Sequence, residues 1–141
     1  MKHSISSAKN MRLFGRKLAR RLKGGEVIEL VGDVGAGKTT FVKGLAEGLG
    51  IQEVISSPTF TISQIYRSKK GPDLYHYDFY RLSEPGLMKY ELAGALSDPM
   101  AITVLEWADS VADILPAERI VVTIVATSER ERQVGLTGID I

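Results

Sequence analysis

Cysteine is absent from the 141 residues. That excludes a disulfide scaffold, a thiolate zinc site and a cysteine nucleophile, and it permits a reducing compartment. Histidine is nearly as scarce, with only His3 and His76, too few for a histidine-rich metal centre. Long apolar runs are missing too: Gly, Asp or Glu interrupts each within about eight positions, well short of the roughly 20 residues a membrane-spanning helix needs. The expectation is a soluble chain with no membrane partner. With 44% hydrophobic and 25% charged residues it also falls outside the disordered and fibrous classes, and its length suits one domain, residues 1–141, with a single core.

Charge is unevenly distributed. The formal net charge is +1, yet residues 1–25 hold eight basic and no acidic residues, leaving ten basic against seventeen acidic, a net of −7, for the remainder. Such a basic start suits an organellar transit peptide, a segment that docks on an acidic partner or, through residues 9–23, on nucleic acid, or a plain amphipathic helix. The helix is favoured. Met11, Phe14, Leu18 and Leu22 recur at spacings of three and four, while Lys9, Arg12, Arg16, Arg20 and Lys23 point elsewhere. Ser6 or Ser7 can cap it, and Gly24-Gly25 can end it.

Residues 26–31 (EVIELV) are apolar and β-branched enough for a buried strand, and residues 40–49 carry Phe41, Leu45 and Leu49 on one helical face, with Gly50 as the stop. Strands are expected over 54–66 and 74–78, joined by a hairpin turn at 67–73. A helix over 87–95 follows Ser83 and Pro85, then a strand at 101–107, a short helix at 108–115 ended by Pro116, and strands at 119–126 and 132–139. Helices alternating with buried strands imply an α/β sandwich whose sheet is part parallel and part hairpin.

Between the first strand and its helix lies Gly32-Asp33-Val34-Gly35-Ala36-Gly37-Lys38-Thr39, which matches G-x-x-x-x-G-K-[ST]. Each constrained position has a physical duty. Gly35 and Gly37 let backbone N–H groups turn toward phosphate oxygens, Lys38 brings positive charge to the β and γ phosphates, and Thr39 offers a hydroxyl to Mg²⁺. The helix that follows directs its positive end at the same anion. The pattern binds phosphate without choosing a reaction, so carboxylates are needed at the ends of neighbouring strands. Glu106 ends the apolar run 102–105, and Asp78 ends the strand 74–78. Around Asp78, the aromatics Tyr75, Tyr77, Phe79 and Tyr80 are expected to pack rather than stack on a base, and His76 to be a hydrogen-bonding group rather than a metal ligand. No Asn-Lys-x-Asp or Asp-x-x-Gly pattern occurs, which disfavours a small GTPase. The chain is short for a nucleotide kinase.

Taken together, residues 32–41, Ser57-Pro58-Thr59-Phe60-Thr61, His76-Tyr77-Asp78-Phe79-Tyr80-Arg81-Leu82 and Leu105-Glu106-Trp107 resemble the TsaE family, the bacterial P-loop ATPases needed for threonylcarbamoyladenosine modification of tRNA. The resemblance spans roughly residues 10–135. It implies a three-layer P-loop NTPase-like sandwich and a cytoplasmic, Mg²⁺-dependent ATPase that binds TsaD and TsaB subunits and resets their complex between rounds of modifying adenosine 37 in tRNAs reading codons that begin with A, meeting tRNA indirectly. It further implies that Lys38, Asp78 and Glu106 are catalytic and that Thr39 and Glu106 serve the metal. Gly32, Asp33, Val34, Gly35, Ala36, Gly37, Lys38, Thr39, Thr40, Thr59 and Arg130 would bind the nucleotide, Arg132 competing with Arg130 for the last role. Ala108-Asp109 after the tryptophan and the segment 86–100 depart from the family's usual pattern. A binding module whose hydrolysis is incidental and a small-molecule kinase are the alternatives.

Overall fold

The structure, a computed structural model, describes residues 1–33, 35–55, 63–80 and 84–141. Seven strands form one sheet: β1 (Lys2–Ile5), β2 (Val27–Val31), β3 (Ser63–Tyr66), β4 (Asp73–Asp78), β5 (Ala101–Glu106), β6 (Ile120–Ala126) and β7 (Arg132–Thr137). Their spatial order is β1-β7-β6-β2-β5-β4-β3. β2 runs parallel to both β5 and β6, and β5 parallel to β4. The remaining pairs, β3 with β4, β6 with β7 and β1 with β7, are antiparallel. The sheet is thus mixed, as the sequence predicts.

Alternation along the strands sorts their side chains onto two faces. Ile28, Leu30, Ile102, Val104 and Val122 pack with two helices, α1 (Ala8–Ala19) and α2 (Lys38–Gly48), in one cluster. Val27, Tyr77 and Leu105 pack on the other face with Leu92 and Ala95 of α3 (Leu87–Leu96) and Val111 of a 3₁₀ helix (Ala108–Ile114). Three layers result because each strand residue buries on alternate faces and each face receives helices. None of the helices among the described residues is long and apolar enough to cross a membrane.

The basic start is part of this architecture. Met11, Phe14 and Leu18 are buried, as their spacing requires, and the Ser7 hydroxyl accepts the Asn10 N–H at 3.1 Å. That bond satisfies one of the donors that the first helical turn leaves without a partner. Ser7→Ala is expected to cost about 1 kcal/mol and to lower the melting temperature by about 3 °C, read by thermal unfolding. An unchanged melting temperature would show that the cap contributes nothing.

Three sequence expectations are corrected. The strand expected over 54–66 is a strand only at Ser63–Tyr66: residues 54 and 55 are outside any strand, and 56–62 lie outside the described residues. The short helix after Trp107 is a 3₁₀ helix. β1 was not expected at all. It is a four-residue edge strand, too short to show an alternating pattern, and its pairing with β7 joins the two ends of the chain.

Candidate functional site

The loop 32–37 leaves the carboxyl end of β2, flanked on one side by β5 and on the other by β6. Ligands of open α/β sheets collect at such carboxyl ends. Gly35 and Gly37 have φ of +82° and +109°, in the left-handed region that glycine enters without steric penalty. Gly37 is the N-cap of α2, and no side chain caps that end. The first-turn N–H groups of α2 are therefore free for an anion, with the positive end of the helix behind them. Val34, a loop residue in the sequence motif, lies outside the described residues.

Lys38 opens α2 and is only 7% exposed. Its Nζ stands 3.3 Å from Glu106 Oε1 and 4.6 Å from the centroid of the Trp107 ring. A charge so removed from water requires such partners. Trp107 adopts φ +54°, the one non-glycine positive φ among the described residues, and its ring also meets Tyr80 at 4.7 Å. A bulky residue in that region is strained, and here the conformation accompanies a ring laid over the loop lysine.

Glu106 ends a strand whose six residues are all buried, so it is no solvent-facing strand stop. Its Oε2 lies 2.5 Å from Nε2 of His76, which is fully buried. Burial alone would raise the Glu106 carboxyl, but the hydrogen bond and charge of His76, and then those of Lys38, outweigh it and hold the carboxyl below its ordinary range. With Nε2 carrying the proton toward Glu106, the buried Nδ1 of His76 has no partner. His76 is thus the hydrogen-bonding group that the sequence suggests.

Asp78 ends β4 in direct register with Glu106 on β5, so the two acids sit side by side at the same edge. Asp78 is 7% exposed, and its Oδ1 accepts the Tyr80 N–H at 2.9 Å. Of the neighbouring aromatics expected to pack, Tyr80 is 46% exposed while Tyr77 and Phe79 are buried. Tyr77 and Phe79 stack in the core beneath α3, and burial pushes the Tyr77 hydroxyl up to about 12.

Two cavities flank the loop. One, about 470 Å³, is lined by Ser7, Met11, Gly37, Thr40 and both Arg130 and Arg132. The other, about 450 Å³, is lined by Asp33, Gly35, Ala36, Trp107 and Asp109 on the opposite side. Arg132 Nε donates to the Ala36 carbonyl at 2.9 Å, tying the β6–β7 turn to the loop. Arg130 is exposed and makes no such bond among the described residues. Of the two arginines, Arg130 is the one left available to a ligand. Thr39 is half-buried in the first turn of α2. Thr59 and Arg81 lie outside the described residues.

Sequence reasoning did not supply the His76–Glu106 bond, the placement of Trp107 over Lys38, or the Arg132 tie. A period-two reading of β4 would have put His76 on the same face as Asp78, and hence beside Glu106. The other two had no local signal.

A glycine loop with no Cβ at two turns, an uncapped helix start, a buried lysine and two adjacent acids suit the phosphates of a nucleoside triphosphate with its divalent cation. Among the described residues no group of three or more His, Cys, Asp or Glu could hold a metal. Mg²⁺ does not need one, because it is usually bound through one or two protein ligands plus phosphate oxygens and water.

Comparison with known proteins accords with this geometry. The family model "Threonylcarbamoyl adenosine biosynthesis protein TsaE" matches residues 5–134. The tRNA threonylcarbamoyladenosine biosynthesis protein TsaE of Streptomyces coelicolor is 40% identical over 137 residues, covering 92% of this chain and 90% of that protein. The protein of the same name from Bacillus subtilis is 40% identical over 121 residues, covering 83% and 72%. The crystal structure of B. subtilis YdiB superposes with a TM-score of 0.77 at 34% identity, covering 95% of this chain and 82% of that one.

Proposed function

The chain belongs to the TsaE family of tRNA threonylcarbamoyladenosine biosynthesis proteins, and from that premise we propose that it is a Mg²⁺-dependent ATPase serving this modification. The observation that carries the reading is the buried Lys38–Glu106 pair, 3.3 Å apart at the start of α2, with Asp78 in register beside it. In this reading, loop residues 32–37 and the α2 N–H groups hold the phosphates, and Lys38 turns from Glu106 to the β and γ oxygens. Mg²⁺, held by the Thr39 hydroxyl and Glu106, would neutralise charge on the phosphates.

Hydrolysis balances simply. The oxygen of water forms a bond to the γ phosphorus, the bond to the β–γ bridging oxygen breaks, and ADP and inorganic phosphate leave, the water giving up a proton. The Oε2 of Glu106 is engaged by His76, and Asp78, two residues beyond His76 on β4, stands in register beside Glu106. The roles proposed are Glu106 on the metal and Asp78 orienting the water. Arg130 and Thr40 would line the nucleotide beyond the phosphates, with Thr59 assigned there by the family resemblance alone. TsaD-like and TsaB-like subunits are the proposed partners, their complex being reset by each hydrolysis to act on adenosine 37 of tRNA. A cytoplasmic site of action accords with that substrate.

The test is Mg²⁺-dependent phosphate release by the purified protein, alone and with TsaD and TsaB from the same source, together with ATP binding followed through Trp107 fluorescence. Asp78→Asn is expected to bind ATP within a few-fold of wild type and to lose about 10²–10⁴ of its turnover. If that variant supports modification through many cycles, hydrolysis is incidental and the protein is a nucleotide-dependent binding module. Phosphorylation of an added hydroxyl acceptor would instead make it a kinase.

A further inference from the structure

Beside the β1 edge of the sheet, away from β3, runs a groove of about 610 Å³ between β1 and α1. Lys2, Arg16, Lys17 and Arg20 line it, with Ser4 and Asn10 between them. We propose that this groove is a docking surface for the phosphate backbone of RNA.

No acidic residue lines the groove, and none of its four cations is in an ion pair among the described residues. That is not for want of acids in the fold, since Arg12 on the same helix pairs with Glu47 of α2. Arg16 and Arg20 are one turn apart, so they repel one another with nothing between them to offset it. Attraction to the negative end of α1 accounts for the cations of its last turn. It does not account for Lys2, which reaches the same groove from a different element. Residues 1–25 carry eight basic and no acidic residues against a net of −7 for the rest of the chain, so the asymmetry of the whole molecule is gathered at this edge.

The lining also selects the kind of polyanion. Protein interfaces depend on aromatic and other large apolar anchors, and this groove offers only Leu13, 41% exposed, because Phe14 is buried under the His3 ring. Arginine, lysine, serine and asparagine are the side chains that phosphate oxygens recruit. Direct contact with RNA goes beyond the indirect relation to tRNA proposed above and does not depend on ATP hydrolysis.

The experiment is binding of an unmodified tRNA transcript to the full chain by fluorescence anisotropy, from about 50 to 200 mM salt. With four cations engaged, the logarithm of the binding constant should fall against log salt with a slope of about −3. Lys17→Gln with Arg20→Gln should flatten that slope by about 1.5 and weaken binding roughly tenfold at low salt, with ATP turnover unchanged and the melting temperature lowered by only a few degrees through the lost helix-end attraction. Lys69→Gln with Lys70→Gln, in the exposed turn near the opposite edge of the sheet, should change nothing. Absence of binding at low salt, or equal loss in both double variants, overturns the proposal. Tighter binding of polyglutamate than of tRNA, lost in the Lys17/Arg20 variant, overturns it in favour of an acidic protein partner.

Discussion

Replacing Lys38 with alanine is expected to lower ATP turnover by about 10³-fold while the protein stays folded. The ammonium is the only charge that α2 brings into the buried network with Glu106, at 3.3 Å, and in the proposed reaction it meets the charge developing on the γ phosphate. Alanine supplies neither charge nor donor. Two effects on stability oppose one another. Losing Lys38 removes a partner from a buried carboxylate, which is destabilising, but it also removes the cost of burying an ammonium. His76 still donates to Glu106 at 2.5 Å, so the carboxylate is not orphaned and the net loss should stay near about 2 kcal/mol. Lys38→Met separates the two roles, since it keeps the buried stem and discards the charge. Phosphate release and thermal unfolding measured on both variants decide the matter: wild-type turnover in either would remove Lys38 from the chemistry.

The second large effect is on stability. Gly44→Ala should destabilise the protein by about 2 kcal/mol and lower its melting temperature by roughly 5–10 °C. In the interior of a helix such as α2 this change is ordinarily favourable by about 1 kcal/mol. Here a Cβ at Gly44 would stand 2.1 Å from the Arg12 carbonyl oxygen and 2.7 Å from the Arg12 Cα, backbone atoms of α1. A Cβ added at Gly15 on α1 would likewise stand only 2.4 Å from the Phe41 carbonyl oxygen of α2. Two helices in backbone contact cannot admit a methyl without moving apart, so overpacking outweighs propensity. Because α2 begins at Lys38, any displacement reaches the loop as well. Gly94→Ala in α3 is the control: nothing lies within 4 Å of its Cβ, so the propensity gain of about 0.5–1 kcal/mol should appear undiminished. A Gly44→Ala protein that melts above wild type would show that α1 yields without cost.

Much of this was legible from the chain alone, and the reason is locality. The glycine loop, its lysine and its threonine are contiguous, so motif and site coincide. The apolar run before Glu106 and the alternation before Asp78 likewise place both acids at strand ends without knowledge of neighbours. The Met11, Phe14 and Leu18 stripe identified α1 as a core helix despite its basic composition. β1 went unseen because four residues cannot show a period, and its partner is at the other end of the chain. Residues 54–55 read as strand because valine and isoleucine favour strands by composition alone, whereas here Val54 is 90% exposed and only Ile55 is buried.

By itself, the sequence determined the α/β class, the glycine loop between β2 and α2 and the two acids at strand ends, since each is a pattern within a dozen residues. Only the tertiary structure decided which groups answer one another: His76 with Glu106 across thirty residues, Trp107 over Lys38, Arg132 on the loop, and Gly44 against Arg12. It also decided that Arg12 is neutralised by Glu47, whereas Arg16 and Arg20 are left facing a groove. Such pairings join residues far apart in the chain. Their geometry is set by sheet order and helix packing, which no local stretch of sequence encodes.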